Sequence, residues 1–454
     1  MAGDDQEQYV ITIEKHLPSL DERFDELERA GDYDITPNKA GKVPPFMRTH
    51  PNLCKYFEPR FVSFGPIHHG KPEFQSAEEY KLRLANYFVN DSGTSPADLY
   101  KKVEGKYESL VLYFDEVVVG NYEEEELAWM LFVDGCAVLQ SIFCAVQLTF
   151  EELKIEQDKM ALWEQDLFLL ENQLPYQLLL DLMDSSERKD QLRESIEVFI
   201  NKHSVALHSY NQKQPRGVAH ILDYLWQLLV DEEMNHQSFY SRNKSGYRAA
   251  GYCQSVPWHH NAQELKIAGI NVKPSKGTLT DIDFAYNLLN FSGYLSIPPV
   301  VVDYTTGFKL VNLIAHEMTL PGMSNYDGVT SYVSFLGSIL DGTGDVKQLI
   351  KARVLFNYLD KDDEVFQLFK DISTNLMPVP NEFHVNVKRR IEKYYGNKYK
   401  IWMAQLFHDL FSRPWKILTF SASVSALLLT ATQTLYPIFS TSGHGEDQVH
   451  KKFN

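Results

Sequence analysis

Apolar residues recur at helical spacing through much of this chain, and they predict a mainly helical protein. The pattern marks helices over 78–90 and 97–114. Two longer apolar ones follow at 126–150 and 162–183, then shorter ones at 220–231, 310–318, 329–340 and 363–376. Two segments depart from the helical period. ELKIAGINV (264–272) and YLSIPPVVVDY (294–304) alternate or cluster β-branched residues, which predicts strands with a proline-marked edge. The expected fold class is therefore α+β, mainly α with a small sheet near 262–310. The proline- and glycine-rich stretch 43–70 favours extended segments, 185–217 reads as a helix plus linker, and 232–258 reads as a surface loop. Residues 1–40 form a short arm with an amphipathic patch at 13–30.

The closing run has a different character. From Ile417 to Phe439 there is no charged residue, and Leu427, Leu428 and Leu429 lie at its centre. About twenty apolar residues cross a hydrocarbon layer of about 30 Å, so a transmembrane helix is expected over 413–439, followed by a short tail at 440–454. Its serines, threonines and alanines are compatible with a helix that satisfies its own backbone. Trp402 and Trp415 on one side and Tyr436 on the other suit the two interfaces. Lys388, Arg389, Arg390, Lys393, Lys398, Lys400, Arg413 and Lys416 precede the span, whereas Lys451 and Lys452 follow it beside Glu446 and Asp447. The positive-inside rule then places the N-terminal region in the cytosol, in the layout of a single-pass, tail-anchored protein. The basic stretch could also touch anionic lipid, and a solvated helix face explains it equally. A second apolar run, 127–150, is interrupted by Asp134, Gln140 and Gln147, and a mid-span Asp is costly in lipid. It reads as a buried helix in which Asp134, beside Gly135, needs an internal hydrogen-bond partner.

Charge and cysteine content narrow the classes further. With 44 Lys+Arg against 61 Asp+Glu the formal charge is −17, which argues against nucleic-acid binding. The 25 Tyr and 27 Phe suggest large packing units. Cys54, Cys136, Cys144 and Cys253 lie far apart without CxxC spacing, as expected of reduced thiols in a cytosolic domain.

Several blocks carry a family resemblance. Val43-Pro44 opens the series, followed by YFEPRFVSFGPIHHG at 56–70, EEYK at 78–81, FVDGC at 132–136 and QDLFLLENQLPY at 165–176. HILDYL at 220–225, ELKIAGI at 264–270, the run 295–317 and the Thr432-Gln433-Thr434 of the closing helix complete it. In this order the blocks resemble the plant family called domain of unknown function 247, with departures at Phe64 (usually Ile) and Ile67 (usually Tyr). The resemblance implies a conserved helical fold, a C-terminal anchor and an undefined biochemical activity. It marks Gly65, Pro66, His68, Asp134, Gly135, Asp166, Glu171, Asn172, Gln173 and Pro175 as structural motif residues. In grasses, members of this family lie at self-incompatibility loci, which implies a possible role in pollen self-recognition.

Among chemical candidates, His68-His69 and His259-His260 invite a metal reading, but adjacent residues on a strand point to opposite faces. His316-Glu317 begins like HExxH, but Leu320 replaces the second His. Gly342-Thr343-Gly344 lacks the Lys-Ser/Thr of a phosphate loop. Asp166, Asn172 and Gln173 are expected to face inward from a helix reaching Pro175. They would form either a polar site between helices or a satisfied network fixing helix register and the break at Pro175. No catalytic residue, cofactor or metal ligand is assigned. The expected function is that of a plant membrane-anchored protein-interaction protein, with the bilayer and an unidentified protein as partners and no enzymatic activity. Its sharper form is a self/non-self determinant in gametophytic self-incompatibility; the alternatives are a membrane-bound enzyme with an unrecognised site and a lipid-contacting protein.

Overall fold

The computed structural model describes residues 41–150, 155–207, 215–230, 258, 260–287, 292–320, 328–375, 382–396 and 414–442, all within the compact unit Lys39–Asn454. The N-terminal arm, His259, Cys253, most of the loop 232–258, Lys398, Lys400, Trp402, Arg413 and the tail beyond 442 lie outside the described residues.

The stretch 43–70, expected to be extended, winds through a four-residue helix at Pro45–Arg48 and a 3-10 turn at Cys54–Tyr56. Pro45 suits the start of a turn because the N–H it lacks would find no partner there anyway. Helices α1 (Gln75–Asp91) and α2 (Pro96–Glu104) follow. The Ser95 hydroxyl caps α2 by accepting the Asp98 N–H. The helix expected over 97–114 is cut at Gly105, and a separate short helix covers Tyr107–Val111.

Next come α3 (Glu124–Gln147), α4 (Gln157–Asp166), α5 (Tyr176–Asp184) and α6 (Lys189–Lys202). Helix α3 is central: α1, α2, α5 and α6 all pack on it. That placement explains why it is apolar on nearly every side. A Cβ at Gly135 would lie 2.7 Å from Leu182 Cδ1, so the absence of a side chain permits the close crossing of α3 and α5. The expected helix 162–183 is not continuous, since α4 stops at Asp166 and α5 starts only at Tyr176. Pro175 lacks an N–H for a helical bond, and the amide side chains of Asn172 and Gln173 bond the freed carbonyls between.

Helix α7 (Ile221–Leu229) is capped by His220, whose ring Nδ1 accepts the Asp223 N–H. The strand expected over ELKIAGINV divides. Asn261 and Glu264 form a capping box that starts α8 (Ala262–Ile267), and β1 (Ile270–Pro274) begins after Gly269. β2 (Asp283–Asn287) and β3 (Ser292–Ile297) complete a three-stranded sheet in the order β1-β3-β2, parallel and then antiparallel. The paired prolines 298 and 299 end β3. Consequently the expected single strand 294–304 becomes two, with β4 (Val300–Val302) pairing in parallel with β5 (Leu355–Asn357) in a second sheet.

Helices α9 (Thr306–Thr319), α10 (Gly328–Ser338), α11 (Thr343–Lys351), α12 (Asp362–Asn375) and α13 (Glu382–Tyr395) pack around these strands and α7. One contiguous hydrophobic core runs from Val43 to Tyr394. The fold is α+β, mainly helical. Helix α14 (Pro414–Ser442) closes the described chain, and its described side chains, 418–434, are all exposed.

Candidate functional site

The motif residues meet where the segment 56–68 crosses the irregular stretch between α4 and α5. Asp166 ends α4, a position where the helix dipole disfavours a carboxylate. Its oxygens are held by backbone instead: Arg60 N–H at 3.0 Å, Phe61 at 2.8 Å and Val62 at 3.0 Å all donate to it. Burial still pushes this carboxyl up, to about 6, against those three donors. Asn172 works in both directions. Its Oδ1 accepts from Phe64 N at 2.7 Å, while its Nδ2 donates to the Val62 and Asp166 carbonyls. Gln173 donates to the Leu167 and Leu169 carbonyls, both at 2.8 Å, and accepts from Leu222 N at 3.1 Å, which ties α7 to the same point.

Asn312 on α9 completes the arrangement, and sequence reading did not single it out. It accepts from Leu170 N at 2.8 Å and donates to the Tyr56 and Phe308 carbonyls. The signal was an amide in the middle of the apolar run 310–315, where an unpaired polar group would be costly. Glu171 accepts from the Val43 N–H at 2.8 Å and pairs with Arg48. His68, buried, lies 3.9 Å from Glu171 and has Lys71 Nζ 2.9 Å from its Nδ1. Burial lowers the His68 pKa to about 4, so its ring stays neutral in the fold.

Asp134 finds the internal partner its sequence context demanded. One oxygen accepts the Gly65 N–H at 2.8 Å, and the other lies 2.8 Å from Lys81 Nζ. Lys81, from the EEYK block, is fully buried and also reaches Glu78 at 2.9 Å. Although burial works against its charge, the two carboxylates hold the Lys81 ammonium above the ordinary lysine value. Gly65 has φ +67, a left-handed conformation that glycine adopts without a Cβ penalty, and this turns its N–H toward Asp134. The Pro66 carbonyl accepts from Tyr122 Oη at 2.9 Å, and Pro175 precedes the first turn of α5.

Chemically, this is a network that fixes backbone. Of the two roles left open for Asp166, Asn172 and Gln173, the observed bonds correspond to the network, though it pins a loop to a helix break and does not set the register of a continuous helix. The void beside Asn172 and Gln173 has room for about 10 Å³, roughly one water. Elsewhere, Glu317 accepts from Trp226 Nε1, Val329 N, Thr330 N and Thr330 Oγ1, and burial pushes its carboxyl up to about 7. Its neighbour His316 lies with Nε2 3.1 Å from Asp223 Oδ1, and the His220 ring packs 4.8 Å away. No hydroxyl or thiol among the described residues bonds either ring. Asp345 occupies the donors of the Gly342 turn by accepting from the Asp341 and Gly342 N–H groups. Among the described residues, no group of three or more His, Cys, Asp or Glu is placed to hold a metal.

Part of the basic stretch serves the domain itself. Lys388 lies over the Trp258 and Phe335 rings at 5.3 and 5.7 Å, and burial lowers it to about 8. Arg390 pairs with Asp283 at 2.7 Å and donates to the Phe284 carbonyl. Arg389 and Lys393 remain exposed.

Comparison with known proteins adds relatives without an assigned activity. Residues 41–429 match the DUF247 family, described as plant protein of unknown function. A UPF0481 protein of Arabidopsis thaliana is 24% identical, covering 85% of this chain and 83% of its own length. A second UPF0481 protein of that plant is 22% identical and covers 96% of both chains. No solved structure matches the chain.

Proposed function

The chain belongs to the DUF247 family of plant proteins, and on that premise we propose that it is a membrane-anchored, non-enzymatic protein-interaction protein. Helix α14 is the observation that carries this reading. Its 29 residues extend about 43 Å at 1.5 Å per residue, more than the roughly 30 Å of a hydrocarbon layer. No charge falls between Ile417 and Phe439, and the exposed Leu427, Leu428 and Leu429 find no cover in the domain. Lipid is the environment that such a surface suits. The basic residues on its N-terminal side favour a cytosolic domain. The motif residues support an interaction role because they bond the protein's own backbone, which leaves the outer surface as what the domain offers a partner.

The sharper form, a self/non-self determinant in gametophytic self-incompatibility, rests on the family resemblance. Disrupting the gene in pollen of a self-incompatible grass is expected to abolish self-rejection, and intact self-rejection sinks this form. The anchor itself is tested in plant microsomes with an N-terminal epitope. Retention after alkaline carbonate washing, digestion of the epitope by added protease and no sugar on the three N-glycosylation sequons Asn90-Asp91-Ser92, Asn243-Lys244-Ser245 and Asn290-Phe291-Ser292 are the expected results. A washed-off protein overturns the anchor, and a protected epitope with sugar on a sequon overturns the orientation.

A further inference from the structure

One turn along α9 from Asn312, a cavity of about 210 Å³ lies between the end of α6 and the start of α9. Its wall includes Asn201, Lys202, Ser204, Asp303, Thr306 and Lys309. Lys309 is only 4% exposed, yet among the described residues its ammonium makes no hydrogen bond or ion pair. It lies over the Phe168 ring, 5.7 Å from the centroid. That contrasts with Lys81, whose buried ammonium has two carboxylates within 3 Å. An unpaired buried cation costs stability unless something answers its charge. Asp303 and Glu164 are both close enough to act on Lys309 electrostatically, but neither forms an ion pair with it, and Glu164 is engaged by His203 at 3.0 Å. One oxygen of Asp303, Oδ1, is saturated by the Thr305 N–H and the hydroxyls of Thr305 and Thr306 at 2.8, 2.8 and 2.9 Å. Among the described residues, nothing donates to the other. Lys202, exposed at the rim and unpaired among the described residues, adds a second positive charge that acts on Lys309.

Among the described residues, the wall thus offers two cations without an ion-pair partner and one free carboxylate oxygen, separated by space for several waters or one small molecule. A ligand that satisfies all three carries a negative head and a hydrogen-bond donor. We propose that this cavity binds a small hydroxylated oxyanion, its carboxylate or phosphate held by Lys309 and Lys202 and its hydroxyl donating to Asp303 Oδ2. The aliphatic part of such a molecule would lie against Val205 and Val301, which also line the cavity.

Isothermal titration calorimetry of the full chain in detergent micelles tests this with four probes: glycerate, glycerol 3-phosphate, acetate and inorganic phosphate. At least one hydroxylated probe is expected to bind ten-fold or more tighter than its simple counterpart, and which one does so identifies the head group. Lys309→Met is expected to lose that binding and to raise the melting temperature of the unliganded protein, because it removes an unanswered buried charge at nearly equal volume. Lys202→Gln, at the surface, keeps the fold and weakens binding several-fold; Asp303→Asn erases the preference for the hydroxylated probe. Equal weak heats for all four probes, or tight binding that survives Lys309→Met and Lys202→Gln, overturn the proposal. A lower melting temperature in Lys309→Met assigns Lys309 to the fold and overturns it as well.

Discussion

Helices α3 and α14 are both long and apolar, and the chain treats them in opposite ways. Helix α3 is surrounded by four other helices, and most of its apolar stretch is buried in the domain. Along α14 every described side chain from 418 to 434 is exposed. What separates them is the handling of polar atoms. Helix α3 carries a buried acidic residue, Asp134, that only a protein interior with Lys81 and the Gly65 N–H can answer. Helix α14 carries hydroxyls that bond back to its own backbone, as Ser423 does to the Thr419 carbonyl and Thr430 to that of Ala426. A helix that answers its own polar groups needs no protein around it, whereas one with a buried charge does.

Substitutions in the two helices should therefore have separable consequences. The largest effect is expected from Lys81→Met, which leaves Asp134 buried without its cation. Breaking one side of such a pair costs about 3–5 kcal/mol, readable as a lower urea midpoint with unchanged membrane retention. The double variant Lys81→Met/Asp134→Leu should recover much of that loss. Leu428→Arg should do the reverse, leaving the domain's melting unchanged while reducing insertion by about 2.5–3.5 kcal/mol on insertion scales. If it instead unfolds the domain, α14 is a core helix and the contrast fails.

Gly135→Ala sets a methyl against Leu182 and should cost about 1–3 kcal/mol by forcing α3 and α5 apart. Acid offers a smaller test. Burial lowers the His220 pKa from 6.5 to about 3, so the unfolded chain takes up a proton there that the fold refuses. Stability from this residue is present above pH 6.5 and is lost as pH falls toward 3. It amounts to about 2 kcal/mol between pH 6.5 and 4.5. His220→Asn keeps a capping acceptor and should remove that part of the pH dependence. Ile417–Phe439 holds no group that titrates in this range, so retention in the membrane should not change over the same interval.

Much of the architecture was legible because it rests on local pattern. Helices α1, α3, α7, α9, α10 and α12 follow the 3.6-residue period, and the need of Asp134 for a partner followed from an acid within an apolar run. Where the reading failed, a local competitor to the period decided. Asn261 with Glu264 turned an apparent strand into a capped helix, Gly105 split 97–114, and Pro298-Pro299 divided one strand between two sheets. The break at 167–175 is a subtler case, because leucine spacing continues through it. Only the amides of Asn172 and Gln173 and the ring of Pro175 contradict the helix.

By itself, then, the sequence determined the helical class, the position of the uncharged closing run and the burial of the motif polar residues, since each depends on residues near one another in the chain. The tertiary structure alone decided which groups answer which. Lys81 meets Asp134 across 53 positions, Asn312 reaches the Tyr56 carbonyl across 256, and among the described residues Lys309 is left without an ion pair. Polar pairing in a core is a long-range matter, because a buried charge or amide is satisfied by whatever the packing brings to it.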